Sequence, residues 1–125
     1  MDPYKAVLCD DDRVSSLILK RLLEKAGFLV STAANGKEGL ERIRADKPQL
    51  LVLDLDMPVK NGFQVLEDLK AAKDMLPYTL VLTAHESAED DAQVKSLGAK
   101  GMVIKPFNPA ELIKKLQTLA REGHL

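Results

Sequence analysis

Five short apolar runs divide the chain: Ala6-Val7-Leu8-Cys9, Phe28-Leu29-Val30, Leu50-Leu51-Val52-Leu53, Leu80-Val81-Leu82 and Met102-Val103-Ile104. Each is nearly continuous, and three are rich in Val or Ile. Runs of this kind suit strands covered on both faces, as in a parallel sheet. Longer amphipathic segments lie between them. Val14, Leu17, Ile18 and Leu22 recur at helical spacing after the first run, and Leu40 and Ile43 after the second. Phe63, Leu66 and Leu69 follow the third, and Ile113, Leu116 and Leu119-Ala120 the fifth. The segment from Ser87 to Leu97 carries only a thin stripe of Ala88, Ala92 and Leu97.

Local signals agree with this division. Asn108-Pro109-Ala110-Glu111 reads as an N-cap, a first-turn proline and a glutamate at the third helical position. Ser87-Ala88-Glu89-Asp90 and Asn35-Gly36-Lys37-Glu38 repeat the acceptor-x-x-acid pattern. Gly27 and Gly98 stand where helices end, and Pro48 and Pro77 precede strands. Five strand–helix repeats imply an α/β architecture with right-handed crossovers. The 125 residues suffice for one domain of about 100–150 residues and are used up by the five repeats, so the expectation is a single domain over 1–125.

Composition excludes several function classes. Lys plus Arg is 18 against 19 for Asp plus Glu, so no overall positive field exists to hold nucleic acid. No apolar stretch approaches the roughly 18 residues that cross a bilayer, and the N-terminus does not resemble a signal peptide. A lone cysteine, Cys9, excludes an internal disulfide and fits a reducing, cytoplasmic compartment.

In an open parallel sheet, ligands bind beyond the carboxyl ends of the strands. Asp10, Asp11 and Asp12 follow the first run, Asp54 and Asp56 the third, Thr83 and Ala84 the fourth, and Lys105-Pro106 the fifth. Asp12 reads as a cap or loop residue. The remaining acids converge at a cost, since two like charges at about 4 Å repel by roughly 4 kcal/mol at an effective dielectric of 20. A cation should offset this: Lys105, or a hard divalent ion such as Mg²⁺ with oxygen ligands. No His/Cys cluster suits zinc. An ionised Asp is also a nucleophile towards phosphoryl groups, and this set of side chains can position it and neutralise the transferring oxygens.

These motifs resemble the receiver domain of two-component response regulators. The resemblance rests on Val7-Leu8-Cys9-Asp10-Asp11-Asp12, Leu51-Val52-Leu53-Asp54-Leu55-Asp56-Met57-Pro58, Leu80-Val81-Leu82-Thr83-Ala84 and Val103-Ile104-Lys105-Pro106-Phe107, and spans about Lys5 to Leu119. It implies a flavodoxin-like, doubly wound sheet of order 2-1-3-4-5 with no output domain in this chain. It implies that Asp54 is phosphorylated by a histidine kinase or histidine phosphotransfer protein. Asp10, Asp11, Asp54 and the backbone carbonyl of Asp56 would hold Mg²⁺, with Mn²⁺ as a substitute. Lys105 would contact the phosphoryl group, and Thr83 would swing inward to it. A cis Lys105–Pro106 peptide is also implied.

The readout would be a downstream protein partner or output domain, engaged through the fourth helix, fifth strand and fifth helix, or a phosphorylation-dependent dimer. Catalysis would be limited to the domain's own phosphorylation and slow dephosphorylation. Three positions depart from the family pattern. Met102 replaces the usual aromatic that moves with the threonine. Val59 and Asn61 replace a glycine and an acid after Met57-Pro58. Asp56 and His85 stand where the family tunes the lifetime of the phosphoryl group.

Two competing readings accompany this one. Leu53-Asp54-Leu55-Asp56 resembles the Asp-x-Asp motif of haloacid-dehalogenase-type phosphatases, although Met57 and Pro58 replace the small or hydroxylic residues expected after that motif. A pseudo-receiver that is never phosphorylated is the other.

Overall fold

A computed structural model describes residues 4–73, 76–85 and 87–123. The elements alternate strictly: β1 (Tyr4–Cys9), α1 (Arg13–Lys25), β2 (Phe28–Ala33), α2 (Gly36–Asp46), β3 (Leu50–Asp54), α3 (Gly62–Ala71), β4 (Tyr78–Thr83), α4 (Ala88–Ser96), β5 (Gly101–Ile104) and α5 (Pro109–Arg121). All strands are parallel, in the order β2-β1-β3-β4-β5. Every apolar run lies in a strand, and the doubly wound sheet has the expected order.

Side chains that alternate along the strands build a core on each face of the sheet. Val7, Cys9, Leu51, Leu53 and Val81 pack with Leu40 and Ile43 of α2, Val65, Leu66 and Leu69 of α3, and Val94 of α4. Ala6, Leu8, Leu50, Val52, Leu80 and Leu82 pack with Leu19 and Leu23 of α1 and with Leu112, Leu116 and Leu119 of α5. Burial on both sides explains why the strands read as continuous apolar runs.

The helix ends follow the cap chemistry. Asn35 Oδ1 accepts from Glu38 N–H at 2.9 Å, Ser87 Oγ from Asp90 N–H at 3.2 Å, and Asn108 Oδ1 from Ala110 N–H at 2.9 Å. Asp12 caps α1 by accepting from Val14 N–H at 3.0 Å, as its loop reading required. Gly27 and Gly98 sit just past helix ends at φ 104° and 106°, a conformation that costs glycine little.

Two helices differ from the sequence expectation. In α1 most of the expected stripe faces outward: Val14 is 69% exposed, Leu17 51% and Ile18 49%, Leu22 is half-buried, and Leu19 and Leu23 are fully buried. The helix carries apolar residues on two faces, and periodicity alone does not choose between them. In α4, Ala88 and Ala92 are exposed and Val94 is the buried residue. Among the described residues, no helix is long and apolar enough to cross a membrane.

Candidate functional site

Strand register gathers the acids. Cys9 pairs with Leu53 across β1 and β3, so Asp10 and Asp54 emerge side by side at the carboxyl edge. The sheet order reverses between these two strands, which is where a crevice opens in such folds. Thr83 pairs with Ile104, which delivers Lys105 to the same edge.

Asp10 and Asp54 are both buried. Lys105 Nζ donates to Asp54 Oδ2 at 2.9 Å and to Asp10 Oδ2 at 3.3 Å. The other oxygen of each acid accepts a backbone N–H: Asp54 Oδ1 from Asp56 at 2.9 Å, and Asp10 Oδ1 from Asp12 at 3.0 Å. These bonds orient both carboxylates. Asp11 is exposed, yet one oxygen from each of Asp10, Asp11 and Asp54 falls within a 4.8 Å cluster. The Lys105–Pro106 peptide is cis.

The electrostatics show strain between the acids. Burial raises the Asp10 carboxyl above its ordinary value, and neighbouring Asp54 adds to this, against the Asp12 N–H and the Lys105 charge. Partial burial pulls the Lys105 ammonium down, but the Asp54 hydrogen bond and both nearby acids outweigh it, so its pKa stands above the usual lysine value. Lys105 thus pairs with Asp10 and Asp54, while Asp11 adds a third carboxylate to the cluster. The donors are hard oxygens, which fits Mg²⁺ better than a soft-ligand metal.

Thr83 is buried, and its hydroxyl closes a turn on His85, donating to the carbonyl at 3.2 Å and accepting from the N–H at 3.1 Å. The His85 ring belongs to an exposed residue, and Asp56 is exposed at the rim. Met102 is half-buried against the core that α2, α3 and α4 share. Cys9 lies under the site, its thiol pushed up to about 12 by burial and by Asp10, so it is no nucleophile.

Sequence reasoning missed the support of the loop that follows Asp54. Gly62 N–H donates to Leu55 O at 3.0 Å, and a Cβ on Gly62 would stand 2.7 Å from the Asp54 carbonyl oxygen. Gly36 N–H donates to Lys60 O at 3.1 Å. Val59, between them, has φ 68°, and Lys60 N–H reaches back to Pro58 O at 2.8 Å. Glycine at the start of a helix, where better helix formers are available, was the signal in the sequence.

A buried Asp held at both oxygens, flanked by a second buried Asp and bridged by a lysine from a distant strand, defines a doubly wound α/β protein with an acidic site at its topological switch point. The chain belongs to the response regulator receiver domain family, whose model matches residues 6–117. It is 38% identical over 120 residues to the transcriptional regulatory protein CpxR of Escherichia coli (strain K12), covering 96% of this chain and 50% of that protein. It is 33% identical over 121 residues to the alkaline phosphatase synthesis transcriptional regulatory protein PhoP of Bacillus subtilis (strain 168), covering 97% and 50% respectively. The chain thus spans about half the length of these curated relatives. Among solved structures it resembles the chemotaxis protein CheY4 of Vibrio cholerae, with a TM-score of 0.85, 31% identity, and coverage of 94% of this chain and 98% of that one. The Francisella response regulator 1452 receiver domain gives a TM-score of 0.86 at 27% identity, covering 97% and 98%. The span of that family match includes Leu53-Asp54-Leu55-Asp56.

Proposed function

We propose that the chain is a phosphorylation switch in which Asp54 accepts a phosphoryl group from the phosphohistidine of a histidine kinase or phosphotransfer protein. The observation that carries this reading is the Lys105 ammonium bridging Asp54 and Asp10. An Asp54 oxygen attacks phosphorus, the P–N bond to the donor imidazole breaks, and the electron pair leaves with the ring nitrogen. Asp56 N–H and Lys105 set the carboxylate plane for that attack, and Lys105 neutralises charge on the transferring oxygens. Asp10, Asp11, Asp54 and the Asp56 carbonyl would hold Mg²⁺, or Mn²⁺ in its place. When bound, the metal supplies charge neutralisation for the phosphoryl oxygens.

Thr83 is the switching residue in this reading. Its hydroxyl exchanges the His85 backbone for a phosphoryl oxygen and so frees the β4–α4 loop. That loop leads into α4, where Val94 is the buried residue, so the output face comprises α4, β5 and α5, with Met102 in place of an aromatic. Asp56 and His85 tune the lifetime from the rim. The face would bind a downstream partner or a second phosphorylated copy. CpxR and PhoP are transcriptional regulatory proteins about twice the length of this chain, so output through a separate segment or partner fits this reading, with no nucleic-acid contact by the receiver itself.

The donor would dock beside the site. Exposed Val14, Leu17 and Ile18 continue into a depression lined by Ser15, Ile18, Ala84, Lys105, Pro106, Phe107 and Pro109. This apolar rim supports a protein donor.

Acetyl phosphate with Mg²⁺, followed by intact-mass measurement, tests the reading. One phosphoryl adduct is expected, absent without Mg²⁺ and absent in Asp54→Asn. No adduct on the native chain, which is the pseudo-receiver outcome, overturns it. So does an adduct that persists in Asp54→Asn.

A further inference from the structure

We propose that Gly36, at the start of α2, is a positioning residue for the phosphoacceptor site. It docks the loop that carries the Asp56 carbonyl and N–H. This rests on the function proposed above.

The loop from Leu55 to Asn61 is held at both ends. At one end, Leu55 N–H donates to Leu82 O at 3.0 Å, and Gly62 packs against the Asp54 and Leu55 backbone. At the other, Lys60 O receives Gly36 N–H at 3.1 Å, and the Lys60 side chain pairs with Asp68 of α3. Between these anchors lies Asp56, whose N–H fixes Asp54 Oδ1. A Cβ on Gly36 would stand 2.5 Å from Lys60 Cβ and closer still to its carbonyl oxygen. Any larger residue must therefore push Lys60 away, and the strained turn at Val59 transmits the shift toward Asp56. The metal-ligand carbonyl and the N–H on the nucleophile would move together.

Gly39, one turn along α2, is a matched control. A Cβ there would stand 2.7 Å from Cys9 Sγ in the core, not from the loop. Both Gly→Ala variants crowd α2, but only one touches the phosphoacceptor loop.

The first measurement uses the native chain. Amide hydrogen exchange is followed by NMR with and without saturating Mg²⁺. Coupling between two sites is reciprocal, so a metal held partly by the Asp56 carbonyl slows exchange of the Gly36 amide. The Gly39 amide, bonded to Asn35 O within the helix cap, stays unchanged. The second measurement is Mg²⁺ affinity by titration calorimetry. Gly36→Ala weakens it by about tenfold, the effect of displacing a group that orients a metal ligand. Gly39→Ala, although less stable, binds as the native chain does.

Equal Gly36 exchange with and without Mg²⁺ overturns the inference even if Gly36→Ala fails to fold. Equal loss of affinity in both variants also overturns it, since a general loss of stability then explains the effect. A native chain that binds no Mg²⁺ and takes no phosphoryl group overturns the parent function, and this inference with it. A native chain that does both, beside an indistinguishable Gly36→Ala, overturns this inference alone.

Discussion

Lys105 Nζ stands 2.9 Å from Asp54 Oδ2 and 3.3 Å from Asp10 Oδ2, so one ammonium from the end of β5 neutralises acids that end β1 and β3. Lys105→Met should destabilise the metal-free protein by about 2 kcal/mol, within the range for hydrogen bonds to charged groups. Mg²⁺ should recover more thermal stability in this variant than in the native chain, because a second cation then replaces the first. Calorimetric melting with and without Mg²⁺ checks both. Because the folded pKa of Lys105 is raised, its contribution is complete below the ordinary value of 10.5 and disappears as pH rises through the higher folded value.

Asp10 has a linkage of the same sign in a more acidic window, and it leaves a cost at neutrality. Burial raises its folded pKa, so the folded state holds a proton that the unfolded state releases from about pH 3.8 upward. Stability contributed by this group therefore falls as pH rises from 3.8 through the folded value, and the cost persists at neutrality. Asp10→Asn should stabilise the metal-free chain at pH 7 and lose this advantage near pH 3. It should also lose most of the stabilisation by Mg²⁺. Urea denaturation across pH, with and without Mg²⁺, measures both effects.

Val59 is a β-branched residue at φ 68°, and it is 72% exposed. Few packing contacts offset the crowding of its Cβ. Val59→Gly should stabilise by about 1 kcal/mol, the left-handed penalty less the entropy glycine regains on unfolding. A higher denaturation midpoint at unchanged slope is the expected signature.

The two faces of α1 should separate stability from partner recognition. Leu23→Ala should cost about 2–5 kcal/mol, as for a fully buried leucine. Serine at Val14, Leu17 or Ile18 should change stability by at most about 0.5 kcal/mol. The same serine variants should slow phosphoryl transfer from a phosphorylated histidine phosphotransfer protein while leaving acetyl phosphate reactivity intact. Parallel stopped-time assays with the two donors distinguish these effects.

Much of the architecture is local information, and so was legible in one dimension. A strand buried on both faces must be apolar at every position, as Leu50 to Leu53 are, and an N-cap needs an acceptor at a set offset, as at Asn35, Ser87 and Asn108. The helix faces were less legible. The apolar stripe through Val14, Leu17 and Ile18 satisfies helical periodicity as well as Leu19 and Leu23 do, and only the approach of β1 and α5 selects the second pair. In α4, two alanines outnumbered the one valine that is buried.

The sequence by itself determined the strand–helix alternation and which acids, hydroxyl and lysine end which strand, because strand burial and capping are set by near neighbours. Tertiary structure decided what those residues touch. Strand register placed Asp10 beside Asp54, the distant β5 brought Lys105 between them, and Thr83 turned to the His85 backbone. It also decided that Gly36 meets Lys60 across two elements. Contacts between residues far apart in the chain depend on how the layers pack, and no local pattern of residue types carries that information.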